Sequence, residues 1–199
     1  MSQGSLYDCL HSSINSSFCW SRKGLKVLVD LAEGLRYLHC SRPVIVHFDI
    51  KSGNALINAD GTAKWADIGL AKAVSHMAGT VPPSVGGQMA ATMEYAAPEV
   101  GKAIFEADSS VKITEKADVY SFGVLIREVY LSEMPTLRVR KEGFPLDRGA
   151  PIHSIIFGGG GKPHKGALAR AVEARPTSID LKRDLEELLE GRRTGTGGG

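Results

Sequence analysis

The chain has 199 residues, 43% of them hydrophobic and 23% charged, with a net charge of +2. That length suits one domain, or one large piece of a domain, able to bury a core, and so small a charge gives no sign of bulk electrostatic attraction to nucleic acid or an anionic membrane. No apolar run approaches the roughly 18 residues of a membrane-spanning helix, and three cysteines without a Cys-x-x-Cys pair fit reduced thiols in an intracellular protein, cytoplasmic or the cytoplasmic part of a longer one.

In chain order, residues 1–18 are rich in Ser, Asn and Gly, with a short helix expected around "SLYDCLH". From Ser21 to His39, Leu25, Leu28, Ala32, Leu35 and Leu38 recur at intervals of three and four, the stripe of an amphipathic helix. Pro43 breaks it, and the β-branched run "VIV" begins a strand. "NALIN", Asp60-Gly61 and "TAKWAD" predict a hairpin turning on Asp-Gly. Residues 73–92 carry Ser, Thr, Gly and two prolines without a period and read as a long loop, either functional or disordered. Residues 115–131 are apolar on nearly every face in the middle, as expected of a helix inside the core. Residues 132–166 are Gly- and Pro-rich and support no assignment. Thr177 and Asp180 fit a capping box opening a last helix, which Gly191 is expected to stop. "RRTGTGGG" follows as a disordered tail.

The chemistry concentrates in "HFDIKSGN". Asp49 and Asn54 lie five apart between two strands, and Asp67 follows the hairpin. Two carboxylates and an amide brought together could bind a hard cation such as Mg²⁺, which takes few protein ligands beside phosphate oxygens. One carboxylate could instead accept a proton from a hydroxyl. The alternative for each residue singly is an Asx-turn. The six histidines have no HExxH spacing, and no cysteine pair completes a zinc site.

These segments resemble the protein-kinase family. "HFDIKSGN" is similar to the catalytic loop H-R-D-L-K-x-x-N, and "ADIGLAK" to the Asp-Phe-Gly motif, with Ile68 for phenylalanine. "ATMEYAAPE" resembles the end of the activation segment, "DVYSFGVLIREV" the buried helix after it, and "ARPTSIDL" the last conserved stretch. "MSQGSLYDCLH" resembles the end of the interlobe hinge, and "LVDLAEGLRYLH" the helix before the catalytic loop. The style is that of tyrosine-kinase-like Ser/Thr kinases. The implied fold is mainly α with a small β hairpin region, a kinase C-lobe over 1–190 without the β-rich N-lobe, and a Gly-rich tail over 191–199.

The resemblance implies a role for each matching residue. Asp49 would orient the substrate hydroxyl and take its proton, and Lys51 would contact the transferring phosphate and favour Ser/Thr acceptors. Asn54 and Asp67 would hold Mg²⁺ on ATP, and Leu56 would lie under the adenine. Thr92 would help place the acceptor. Glu99 would pair with Arg175, and Asp118 would tie the catalytic loop to the central helix. The partners implied are a protein substrate and a protein covering the surface that faces the N-lobe, with no nucleic acid.

Several positions depart from the pattern. Phe48 replaces the arginine that receives an activation-loop phosphate in many kinases, so phosphorylation at Ser75, Thr80 or Ser84 would lack that partner. Ala91 stands where glycine is usual. The Gly-rich phosphate loop and its lysine are not found. "GGGG" at 158–161 before Lys162 does not replace them, since Ile156 and Pro163 break the phosphate-loop pattern. The expectation is a Ser/Thr kinase fragment with little activity as an isolated chain; the alternative is a non-catalytic, kinase-like binding module.

Overall fold

The computed structural model describes residues 4–12, 21–68, 72–74, 93–106, 111–138, 146–147, 150–158 and 166–194. A two-residue strand β1 (Gly4–Ser5) leads into helix α1 (Leu6–His11). Ser5 and Asp8 cap this helix reciprocally: the Asp8 amide donates to the Ser5 hydroxyl, and the Asp8 carboxylate accepts from the Ser5 amide. Helix α2 (Arg22–His39) follows, with the predicted stripe Leu25, Leu28, Ala32 and Leu35 fully buried. The Ser21 hydroxyl accepts from the Gly24 amide at its start.

Strand β2 (Val44–Val46) pairs antiparallel with β5 (Lys72–Val74). The predicted hairpin is β3 (Ala55–Ile57) and β4 (Ala63–Trp65), and β1 adds to the free edge of β3. Its connection is longer than a two-residue Asp-Gly turn. The Gly61 amide donates to the Asn58 carbonyl, Gly61 takes φ 83°, and the Asn58 and Asp60 side chains both accept from the Thr62 amide. Helix α2 crosses β4 at very short range. A Cβ on Gly34 would lie 2.9 Å from Trp65 Cδ1, so only glycine fits there, and the Trp65 indole donates to the Leu31 carbonyl.

Helix α3 (Pro98–Phe105) starts with proline at its first turn, where no amide donor is required. No periodic pattern in the sequence marks it. Helix α4 (Lys116–Leu131) is the buried central helix that was expected, with Val119, Phe122, Leu125, Ile126 and Val129 at or near zero exposure. It ends on Ser132 in the left-handed region, φ 54°, a position that favours glycine. Within 132–166, the stretch left unassigned, a short helix α5 (His153–Phe157) packs beside α4.

The last helix, α6 (Ser178–Thr194), opens on the predicted capping box, with the Asp180 carboxylate accepting from the Thr177 amide and hydroxyl. Its end corrects the sequence reading. The helix runs through Gly191 to Thr194, because Gly191 does not take the positive φ of a glycine stop and a mid-helix glycine costs only about 1 kcal/mol. Residues 195–199 of the tail lie outside the described residues. Leu181 and Leu185 join the core, and Lys182 reaches Glu33 on α2 at 3.4 Å. The described residues are thus mainly helical with a small antiparallel sheet, as expected.

Candidate active site

Residues 47–54 form the loop between β2 and β3, and two acids of α4 hold it at opposite ends. At the first end, the Asp118 carboxylate accepts the backbone amides of His47 (2.7 Å) and Phe48 (2.9 Å). His39 Nε2 from the last turn of α2 lies 3.0 Å from the same carboxylate. Phe48 is held at φ 66°, a conformation costing a bulky residue roughly 1–2 kcal/mol. Its ring is partly buried against the core, so this position is set by packing.

The next residues converge on one carboxylate. Asp49 is 6% exposed. Its Oδ2 accepts from Asn54 Nδ2 at 2.7 Å and lies 2.8 Å from Lys51 Nζ. Its Oδ1 is buried and has no hydrogen-bond partner among the described residues, a state that calls for an explanation in a folded protein. Asn54 also donates to the Asp49 main-chain carbonyl, which commits its amide nitrogen and leaves its oxygen for another group. The ring of His47, fully buried, accepts the Asp49 amide at Nδ1 and meets Trp65 edge-on.

The hairpin brings Asp67 toward this loop through the backbone. The Ala66 amide donates to the Asn54 carbonyl at 2.8 Å, so Asp67 is one residue past that bond. Asp67 takes φ 53° and its side chain is exposed. Leu56, in the middle of β3, is 43% exposed while Ala55 and Ile57 are buried, as the two-residue period of a strand requires. Thr92 lies outside the described residues, as do Ser75, Thr80, Ser84 and Ala91. Among the described residues no three His, Cys, Asp or Glu side chains converge on a metal position. The oxygens of Asn54 and Asp67 do suit Mg²⁺, which is held by one or two protein carboxylates beside phosphate oxygens and not by a closed cage.

The second anchor is Glu128, which sequence reasoning missed. It is fully buried. Its carboxylate accepts from the Ser52 hydroxyl at 2.8 Å and the Tyr95 hydroxyl at 2.7 Å, and lies 2.9 Å from His11 Nε2. Burial, and next the Glu128 charge, push the Tyr95 phenol above its usual pKa. The available signal was a charged pair, Arg127 and Glu128, directly after the apolar middle of α4, since buried charges need partners. Arg127 is 4% exposed, its pKa is lowered by burial, and Glu133 lies 3.6 Å away.

Glu99 and Arg175 meet as expected. Arg175 Nη2 donates to Glu99 at 2.8 Å, and the guanidinium also reaches the Ala169 and Lys116 carbonyls and lies over the Tyr120 ring. Away from the loop, an apolar groove of about 420 Å³ runs between α2 and β4, lined by Gly34, Tyr37, Leu38, Trp65 and Ile68. Tyr37 is 71% exposed and Ile68 52%.

The protein kinase domain model matches residues 1–149, and this chain belongs to the protein kinase family. It is 43% identical to the receptor-like protein kinase HSL1 of Arabidopsis thaliana over 136 residues, 68% of this chain and 13% of the relative. It is 40% identical to the LRR receptor-like serine/threonine-protein kinase RGI1 of the same plant over 152 residues, 73% of this chain and 12% of the relative. The chain therefore spans about one eighth of the length of these relatives. No helix among the described residues is long and apolar enough to cross a membrane.

Proposed function

We propose that these residues are the catalytic-loop half of a Ser/Thr protein kinase, acting on the cytoplasmic side, that transfers the terminal phosphoryl group of ATP to a protein hydroxyl. The observation that carries this reading is the Asp49 carboxylate. One oxygen is fixed by Asn54 and Lys51, and the other is buried and free of donors among the described residues. An acceptor hydroxyl donating to that free oxygen would be oriented, and its proton would have a place to go.

Asn54, through its amide oxygen, and Asp67 are the residues that would hold Mg²⁺, and the exposed Leu56 would offer the adenine an apolar face. Bound Mg·ATP would supply the phosphoryl group and neutralise its developing charge. Lys51, 27% exposed beside Asp49, would shift toward the phosphate as it arrives. The left-handed Phe48 and Asp67 support the reading, because backbone strain of this kind gathers at functional sites. We propose that the domain spans residues 1–190, a reading supported by the contact of α6 with α2.

These 199 residues contain no Gly-rich phosphate loop, and we propose little activity for the chain by itself. The exposed Tyr37–Ile68 groove supports a second reading, a kinase-like module that binds a protein over that surface. A fusion placing the small lobe of an active receptor-like kinase before Met1 decides between them. The kinase reading predicts Ser/Thr transfer that falls at least about 100-fold in Asp49→Asn. A folded fusion without transfer, or one indifferent to Asp49→Asn, would favour the binding module.

A further inference from the structure

Glu128 is a buried acid that the phosphoryl-transfer reading leaves unused. It has no exposed surface, and two of its contacts are neutral hydroxyls, those of Ser52 and Tyr95. Among the described residues no lysine or arginine lies within ion-pair distance of it, and Arg127 beside it in α4 faces Glu133. A buried carboxylate of this kind lacks a counter-charge. His11 can supply one: its Nε2 lies 2.9 Å from Glu128 Oε1, and 16% of its side chain is exposed.

An ionised carboxylate only accepts, so Nε2 donates to Glu128 and a second ring proton goes to Nδ1. Here His11 differs from His39, the histidine beside Asp118 at the other end of the loop. His39 is buried and its Nδ1 has no partner, so a second proton there would be stranded away from water. His11 Nδ1 is not among the buried atoms left without a partner, and the part-exposed ring lets water meet that proton. The other groups near His11 do not compete for the role. Its own helix carries Tyr7, ring centroid 5.0 Å away, and Asp8, whose carboxylate is taken by Ser5. The loop brings Ser52, while its Lys51 ammonium lies 2.8 Å from Asp49. The segment after it brings half-buried Glu94 and Tyr95, whose phenol burial pushes above its usual pKa, so it stays a neutral donor.

We propose that His11 is a positioning residue whose charge sets how firmly Glu128 holds the catalytic loop. Ser52 opens the single turn Ser52–Asn54, whose last amide donates to the Lys51 carbonyl at 3.1 Å and whose Asn54 side chain donates to Asp49 at 2.7 Å. A charged ring gives Glu128 its counter-charge and fixes the start of that turn, and so the place where Asn54 meets Asp49. A histidine changes charge between about pH 5 and 8. The hold is therefore firm at the acid end of that range and is lost as pH rises through it. That the loop is catalytic rests on the reading of Asp49 given above; the pH dependence of its order does not.

The test follows amide exchange of the 199-residue chain by NMR, as protection relative to the intrinsic rate at each pH. Protection of the Asn54 amide is expected to fall about fivefold between about pH 5.5 and about pH 8.5, the size of one part-exposed charge contact. Amides of α6 should not change in step, which separates a local release from a change in global stability. His11→Gln keeps a donor without the charge, and its Asn54 protection should be flat over this range and close to that of the wild type at about pH 8.5. A flat wild-type profile overturns the proposal. So does a fall that survives His11→Gln, which would then arise from His39 or His47. The two readings fail separately, since Asp49-dependent transfer by the fusion is measured without reference to this profile.

Discussion

The two ends of the catalytic loop are held by acids ten positions apart on one helix, and they are held differently. From the loop, Asp118 accepts only main-chain amides, of His47 and Phe48, while the His39 side chain of α2 lies 3.0 Å from the same carboxylate. Glu128 accepts side-chain hydroxyls, of Ser52 and Tyr95, and touches His11. A main-chain anchor places few demands on the identity of the residues it holds, which is how phenylalanine can occupy position 48 without releasing the loop. A side-chain anchor requires its partners to be the residues they are. The first end is therefore tolerant in sequence and strict in backbone geometry; the second is the reverse.

The largest expected effect comes from breaking the first end. Asp118→Ala strips the His47 and Phe48 amides of their acceptor and the buried His39 ring of its carboxylate neighbour, and should cost roughly 3–5 kcal/mol in denaturant unfolding. Hydrogen exchange should rise most at His47 and Phe48, where left-handed geometry would no longer be enforced. Breaking the second end is milder. Glu128→Ala should cost about 2–4 kcal/mol, because the Ser52 and Tyr95 hydroxyls, already 3.2 Å apart, can bond to one another. If Glu128→Ala proves the costlier of the two, the contrast between the ends is wrong. Ser52→Ala, which removes one hydroxyl bond, should cost about 1 kcal/mol and leave exchange at Phe48 unchanged.

A control lies outside both ends. On α2, hydrogen bonding to Arg36 lowers the Glu33 pKa from the usual 4.5 to about 2. A carboxylate lowered in the folded state stabilises it above its ordinary pKa, and that increment disappears as pH falls from about 4.5 through about 2. Glu33 is nearly half exposed, so screening keeps the effect below about 1 kcal/mol. Glu33→Gln should flatten acid unfolding slightly and leave the catalytic loop untouched.

The sequence carried the periodic and capped elements well: the α2 stripe, the buried α4 and the Thr177–Asp180 box are local patterns with local causes. Asp118 and the Glu99–Arg175 pair were legible only through family resemblance, since nothing in spacing joins residues 76 apart. Glu128 escaped because its partners come from three distant segments that only the fold assembles. Gly191 was misread because a glycine signals a helix end only when the backbone turns left-handed there. Helix α3 escaped because eight residues are too few to display a period.

Asn54, Leu56 and Asp67 are expected to share one nucleotide-facing surface beside Asp49. Titration of the isotope-labelled chain with Mg·ATP, followed amide by amide, tests this directly. The prediction is weak binding, with a midpoint of about 1 mM or above (about 4 kcal/mol or less), with shifts centred on those three residues and lost in Asn54→Ala. Shifts centred elsewhere, or tight binding unaffected by Asn54→Ala, would contradict it.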